Sequence, residues 1–287
     1  MALYFRDATF LDQLILLSQG ALRETFTAPA PESLYHYTTP ENVQKISVSR
    51  ELWAKCLNAQ NDSTELTHGI NLVEWEAFKL LDNENNLFFH RILRDLPEQM
   101  RSRKKWVFIS CFCGIQQSKL HLNAYGSSCL RFDFPKDWKP QLECHDNKAY
   151  SWYSPVIYSE REQLQSVRTF LQNLREIVLQ NLQGRPEDDK AEWLHQGVTR
   201  DAANCLLLLA ACFKREKYEA EREWRLLFMP NFAPGSSAPS MSDEAFAPAI
   251  KLEPFRLIAL RRKNPTGGPF GMRILDRTVL PFDEIIA

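Results

Sequence analysis

The chain lacks a run of about 18 apolar residues, an excess of either charge and a recurrent cysteine framework, and each absence removes a class of protein. Without the apolar run no segment has the pattern of a membrane-crossing helix. Lys and Arg number 35 against 36 Asp and Glu, for a net charge of −1 with the signs interspersed. No global pull toward nucleic acid or an anionic membrane follows, although a local basic patch stays open. The seven cysteines are odd in number and scattered at 56, 111, 113, 129, 144, 205 and 212. That scatter predicts reduced thiols in a reducing compartment rather than disulfide staples. Cys111-Phe112-Cys113 is a C-x-C, and no second pair completes four zinc ligands. The motifs G-x-G-x-x-G, H-E-x-x-H, G-x-S-x-G and the Walker loop are missing too. Dinucleotide-fold oxidoreductases, zincins, serine hydrolases and P-loop enzymes thereby lose their usual support. No signal-peptide pattern follows Arg6 and Asp7, so the expected compartment is the cytoplasm, with no membrane partner.

What is present is ample material for a core: 287 residues, 44% hydrophobic and 11% aromatic. Apolar positions from Phe10 to Leu22 form a helical stripe that ends before Pro29 and Pro31, predicting an N-terminal helix and linker over residues 1–30. Residues 31–287 read as one α+β domain. Leu34–Thr38 and Glu51–Ala54 have strand character, and Pro40 suits the first turn of a helix. Asp62 and Glu65 have capping-box spacing ahead of a helix of about five turns. A further helix covers Asn86–Arg101, and Trp106–Phe112 is a near-continuous apolar run predicted to be a central strand. Strands follow at Cys129–Phe134 and at Trp152–Tyr158, the latter an edge or a bulge because of Pro155. Residues 160–183 and 189–217 predict long helices, a helical insert at about 160–217. After a strand around Glu223, residues 231–248 read as a loop, and Phe255–Leu260 and Arg273–Leu280 as closing strands. Strands and helices do not alternate as in a doubly wound sheet, so the expected class is mixed α+β with a mostly antiparallel sheet and flanking helices.

Four constellations could carry chemistry. If Glu221–Arg225 is a strand, period two puts Glu221, Glu223 and Arg225 on one face and Arg222, Trp224 and Leu226 on the other. Glu223 could then bind a substrate hydroxyl or stabilise a developing cation, with Glu221 beside it raising its pKa by like-charge repulsion. The alternative is a surface strand whose charges pair across the sheet. His36, between Tyr35 and Tyr37 and followed by Thr38, could orient a ribose or pyrophosphate, or could be a core histidine satisfied by a backbone carbonyl. Asn61, Asp62 and Glu65 at a helix start could bind a hydroxyl or a metal, although capping alone explains them. Tyr125, followed by Gly126, could lay its ring against a flat base or nicotinamide, or could simply pack at a strand entrance.

Read in order, Leu34-Tyr-His-Tyr-Thr38, Asn61-Asp62 with Glu65, Ile109-Ser-Cys-Phe112, Tyr125-Gly126, Cys129-Leu-Arg-Phe132, Val156-Ile-Tyr158, and Cys212-Phe-Lys214 leading to Glu221-x-Glu-Trp-Arg225 resemble the bacterial domain-of-unknown-function family 2971. One departure is Leu122-Asn-Ala-Tyr125, where that family usually has Trp-x-x-Tyr. The order of a strand histidine, a later tyrosine and a late strand glutamate is also similar to the His-Tyr-Glu arrangement of ADP-ribosyltransferases. That resemblance implies NAD as substrate, with His36 on the nicotinamide ribose, Tyr125 stacked on nicotinamide and Glu223 polarising a ribose hydroxyl. The products would be nicotinamide and ADP-ribose, passed to an acceptor macromolecule or to water, with no metal required. Two rivals stand beside it. One is a Mg²⁺-dependent nuclease or phosphodiesterase gathering Asp62, Glu65, Glu221 and Glu223. The other is a non-catalytic module that senses a nucleotide or binds a protein. A thiol enzyme pairing Cys111, Cys113 or Cys129 with His36 or His121 is a further arrangement, though a cysteine in an apolar strand is usually buried and inert. Families of this kind are associated with bacterial toxin and defence systems, and such a role is carried here as an association.

Overall fold

The computed structural model describes residues 14, 33–49, 51–56, 64–114, 119–126, 128–133, 149–183, 197–230, 250–251, 255–262, 270–276 and 285–286. The strands are β1 (Ser33–Thr38), β2 (Glu51–Cys56), β3 (Phe108–Cys113), β4 (Ser128–Asp133), β5 (Ala149–Pro155), β6 (Glu223–Pro230), β7 (Ile250–Lys251), β8 (Phe255–Arg262), β9 (Phe270–Asp276) and β10 (Ile285–Ile286). The helices are α1 (Pro40–Ser49), α2 (Thr64–Leu81), α3 (Leu87–Arg103), α4 (Lys119–Tyr125), α5 (Glu160–Leu182) and α6 (Thr199–Ala210). The expected α+β class is observed. The chain divides into two units, one of 1–28, 64–105 and 157–216, the other of 29–63, 106–156 and 217–287. Residues 64–105 thus share a unit with the helical insert expected at about 160–217, a grouping that the spacing of apolar residues does not announce.

The first unit is helical. Asn86 caps α3 by accepting from the amides of Phe88 and Phe89 at 3.1 and 3.0 Å, and Ser159 caps α5. All twelve residues of α6 are buried. Gly69 lets α2 approach it, because a Cβ there would lie 2.5 Å from the Ala210 carbonyl oxygen. Gln163, fully buried, donates to the carbonyls of Ile157 and Lys214 at 2.6 and 2.7 Å and is within 3.1 Å of His68 Nε2. Glu76 is paired with Arg168 and Lys79 and Glu84 with Arg175. In each glutamate burial opposes the charge, but the hydrogen bonds and charges of its partners outweigh burial and hold the pKa below its ordinary value. The helix expected over 189–217 ends at Ala210, and residues 184–196 lie outside the described residues. The break has a backbone cause: Ile157 donates to the Cys212 carbonyl at 2.8 Å and accepts from the Lys214 amide at 3.1 Å, drawing 212–214 into a bridge. The expected N-terminal helix lies outside the described residues except Leu14, which is helical and fully buried.

The second unit is built on a ten-stranded sheet whose strand pairs are antiparallel throughout. Its main path is β10-β4-β1-β3-β2-β9-β8-β7, and β6 followed by β5 extends from β3. The strand expected to be central is central: β3 pairs with β6 from Phe108 to Cys113. Its other edge is divided, with Cys113 facing β1 and Phe108 and Ile109 facing β2. The sheet therefore forks at the middle of β3. β5 pairs with β6 alone and ends at Pro155, which fits the expected edge position. The expected loop at 231–248 and the turn at 264–268 fall outside the described residues.

Candidate functional site

Register sorts the candidate residues onto two faces, because residues directly opposite one another in a pleated sheet project to the same side. Tyr35 lies opposite Cys113 and Arg131, Cys113 opposite Glu223, Cys111 opposite Arg225 and Tyr37 opposite Cys129. These residues form one face, and Tyr35, Tyr37, Cys113 and Cys129 cluster there as buried neighbours. Leu34, His36, Leu130, Ser110, Phe112, Trp224 and Leu226 alternate onto the other face.

On the tyrosine face the charged centre is Glu223 with Arg225. Arg225 Nε and Nη2 reach the two carboxylate oxygens at 2.8 and 3.1 Å, a bidentate grip between side chains two residues apart on one strand. Glu223 is 6% exposed and Arg225 1%, so the pair is sunk into the protein. That burial corrects the alternative of a solvated strand pairing across the sheet. The expected alignment of Glu221 with Glu223 is also corrected. Residues Glu216–Glu221 form a 3₁₀ segment, Arg222 has φ of 43°, and the strand starts only at Glu223. A left-handed residue between them breaks the period-two relation on which that alignment depended. The Glu221 carbonyl instead accepts from Cys113 Sγ at 3.4 Å.

The aromatic part of this face is supplied by α4. His121, 4% exposed, stacks on Tyr37 with ring centroids 5.0 Å apart and planes at 30°, and lies 5.7 Å from Tyr125 at 32°. Tyr125 is 45% exposed at the open end of this series. Gly126 follows with φ of 135°, and a Cβ there would sit 2.3 Å from the Thr38 carbonyl oxygen. Only glycine lets the chain pass so close to the end of β1, and this close approach holds Tyr125 beside it.

His36 belongs to the other face. Its Nδ1 lies 2.9 Å from the Cys111 carbonyl oxygen and therefore carries the proton in that bond, while its ring meets Phe112 edge-on at 5.9 Å. The bond falls where β1 and β2 part along β3. The structure thus does not bring His36 to the face of Glu223, and its surroundings are those of a half-buried histidine satisfied by a backbone carbonyl. Thr38, which is buried, accepts from Asn42 Nδ2 at 3.1 Å and serves the entry into α1. Glu65 is in the helical unit, paired with buried Lys214 at 3.0 Å. Asn61 and Asp62 fall outside the described residues.

Two site residues went unassigned in the reading of the sequence. Arg131 adds a half-buried cation opposite Tyr35, and its period-two spacing from Cys129 was available as a signal. His121 was considered only as a partner for a thiol; its place against Tyr37 depends on the fold. Cys113 and Cys129 are buried and Cys111 half-buried, none of them in a disulfide. Among the described residues no three His, Cys, Asp or Glu side chains gather as metal ligands, and no helix is long and apolar enough to cross a membrane.

No curated protein and no solved structure matches the chain. Residues 123–226, the stretch that carries Tyr125, Arg131, Glu223 and Arg225, match the model of a family described as a protein of unknown function, DUF2971.

Proposed function

We propose that the tyrosine face is the site of an ADP-ribosyltransferase-like enzyme that acts on NAD, by transfer of ADP-ribose or by NAD glycohydrolysis. The observation that carries this reading is that one sheet face bears both a clamped carboxylate, Glu223, and Tyr37, from which His121 leads to the exposed ring of Tyr125. In the proposed reaction the C–N bond between ribose and nicotinamide breaks and nicotinamide leaves with the bonding electrons. An acceptor nucleophile or water then adds to the ribose carbon and loses a proton. The developing oxocarbenium needs a nearby anion and a fixed orientation more than it needs an acid, because nicotinamide leaves as a neutral molecule. Glu223 would accept a hydrogen bond from the ribose hydroxyl, Arg225 would keep its carboxylate oriented, Tyr125 would carry the nicotinamide ring, and Arg131 would lie toward the diphosphate. His36 has no role in this version, since it projects to the opposite face.

The depth of the Glu223–Arg225 pair favours a second reading, a non-catalytic nucleotide-sensing module in which that pair is structural. The nuclease reading has less support, because Glu65 and Glu223 already hold Lys214 and Arg225. The test is nicotinamide release from NAD⁺ by the purified protein and by Glu223→Gln, each with Mg²⁺ and with EDTA. Release that is lost in Glu223→Gln and unchanged by EDTA supports the transferase class. NAD⁺ binding without release selects the sensing module, and neither binding nor release removes NAD from the account.

A further inference from the structure

We infer that His121 is the positioning residue of the tyrosine face, its imidazole acting as a flat spacer that fixes Tyr125 at the angle where a planar heteroaromatic ring can lie on it. This inference rests on the NAD-acting reading of the same site. Tyr37 is 8% exposed and held in β1 by pairing with β4, so it is the rigid end of the series. His121 repeats the tilt of the rings twice, at 30° to Tyr37 and 32° to Tyr125. Tyr125 is 45% exposed in the last turn of a seven-residue helix, a length at which helical packing by itself orders a side chain little. Two contacts bear on its placement: the tilted imidazole, 5.7 Å away, and the adjoining Gly126 backbone, tight against Thr38. Offset aromatic contacts at these separations are attractive, and a rigid ring spends less freedom on binding than a mobile one. His121 is thereby separated in role from His36. One histidine satisfies a carbonyl at the fork of the sheet, and the other transmits the order of β1 to the exposed ring.

The experiment measures NAD⁺ affinity by calorimetry, and KM and kcat for nicotinamide release, in wild type, His121→Leu and His121→Phe. Leucine fills the volume without a flat ring, and phenylalanine restores the ring without the nitrogens. The expected result is that His121→Leu raises Kd and KM by about three- to tenfold, the size of one lost aromatic contact, with kcat changed less than KM. His121→Phe should stay within about twofold of wild type, since the stacking surface is kept. If His121→Leu leaves Kd and KM unchanged, or if phenylalanine fails to rescue while the protein remains folded, the positioning role is overturned and the NAD reading stands. If wild type itself neither binds NAD⁺ nor releases nicotinamide, the reading fails and the inference with it. Should His121→Leu not fold, Gly126→Ala supplies the second variant. Its Cβ would collide with the Thr38 carbonyl and shift the backbone next to Tyr125, so an unchanged Kd in folded Gly126→Ala would also overturn the inference.

Discussion

On one face of the sheet around β1, β3 and β6 lie Tyr35, Tyr37, Arg131, Glu223 and Arg225, and on the other Leu34, His36, Leu130, Phe112 and Leu226. Both faces hold buried polar chemistry, but they spend it differently. On the apolar face a single imidazole satisfies one carbonyl at the place where two strands diverge along β3. On the tyrosine face a whole ion pair is buried, a costlier arrangement that a structural hydrogen bond would not require. What separates the faces is therefore a buried pair of full charges, against His36 and the hydroxyls of Thr38, Ser110 and Ser128, and whether the face leads outward. The tyrosine face leads outward, through His121 to an exposed Tyr125.

The comparison breaks most directly at Arg225. Arg225→Leu removes the bidentate partner of the buried Glu223 carboxylate, and we expect about 3–5 kcal/mol of lost stability in urea denaturation, because breaking a buried ion pair from one side is the expensive case. Replacing both members, Glu223→Leu with Arg225→Leu, should recover most of that loss. If the double variant is no more stable than the single, the pair is not the source of the cost. His36→Leu is the matching test of the other face. It removes one donor from the Cys111 carbonyl, so a loss of about 1–3 kcal/mol is expected, with NAD⁺ affinity unchanged. A folded His36→Leu protein that no longer binds NAD⁺ would return His36 to the site.

The smallest effect belongs to the helical unit. Glu76 and Glu84 have depressed pKa values when folded, so the stability they contribute is present above the ordinary carboxylate value of 4.5 and is lost as the pH falls through their folded values. Arg168→Gln should lower the neutral plateau of a stability profile by at most about 1 kcal/mol, because that pair is partly solvated, and so flatten the fall below about pH 5, with little change at the acid end where Glu76 is protonated in both proteins.

Much of the fold was legible. The central apolar run became β3, Asn86 capped α3 where the pattern placed a helix start, and Pro155 closed an edge strand. The boundaries that failed did so where distant backbone intervened: 212–214 left the helical pattern to bridge Ile157, and Arg222 turned left-handed before β6. The candidate site was half legible. Period two already put His36 opposite its two tyrosines, but the side taken by Glu223 depends on the registers of β1 with β3 and of β3 with β6. Those registers join segments far apart in the chain, Ser33–Thr38 with Phe108–Cys113 and Phe108–Cys113 with Glu223–Pro230, and neither carries a local signal. His121 was hidden for the same reason, since its stacking partner lies in another element.

The central claim is that the tyrosine face, and not the face of His36, receives the ligand. Calorimetric titration of NAD⁺ into wild type, Tyr125→Ala and His36→Leu tests it. The account predicts that Tyr125→Ala weakens binding by about tenfold or more, the size of a lost ring contact, while His36→Leu binds as wild type does. The contradicting result is the reverse order, or a folded wild-type protein that does not bind NAD⁺ at all.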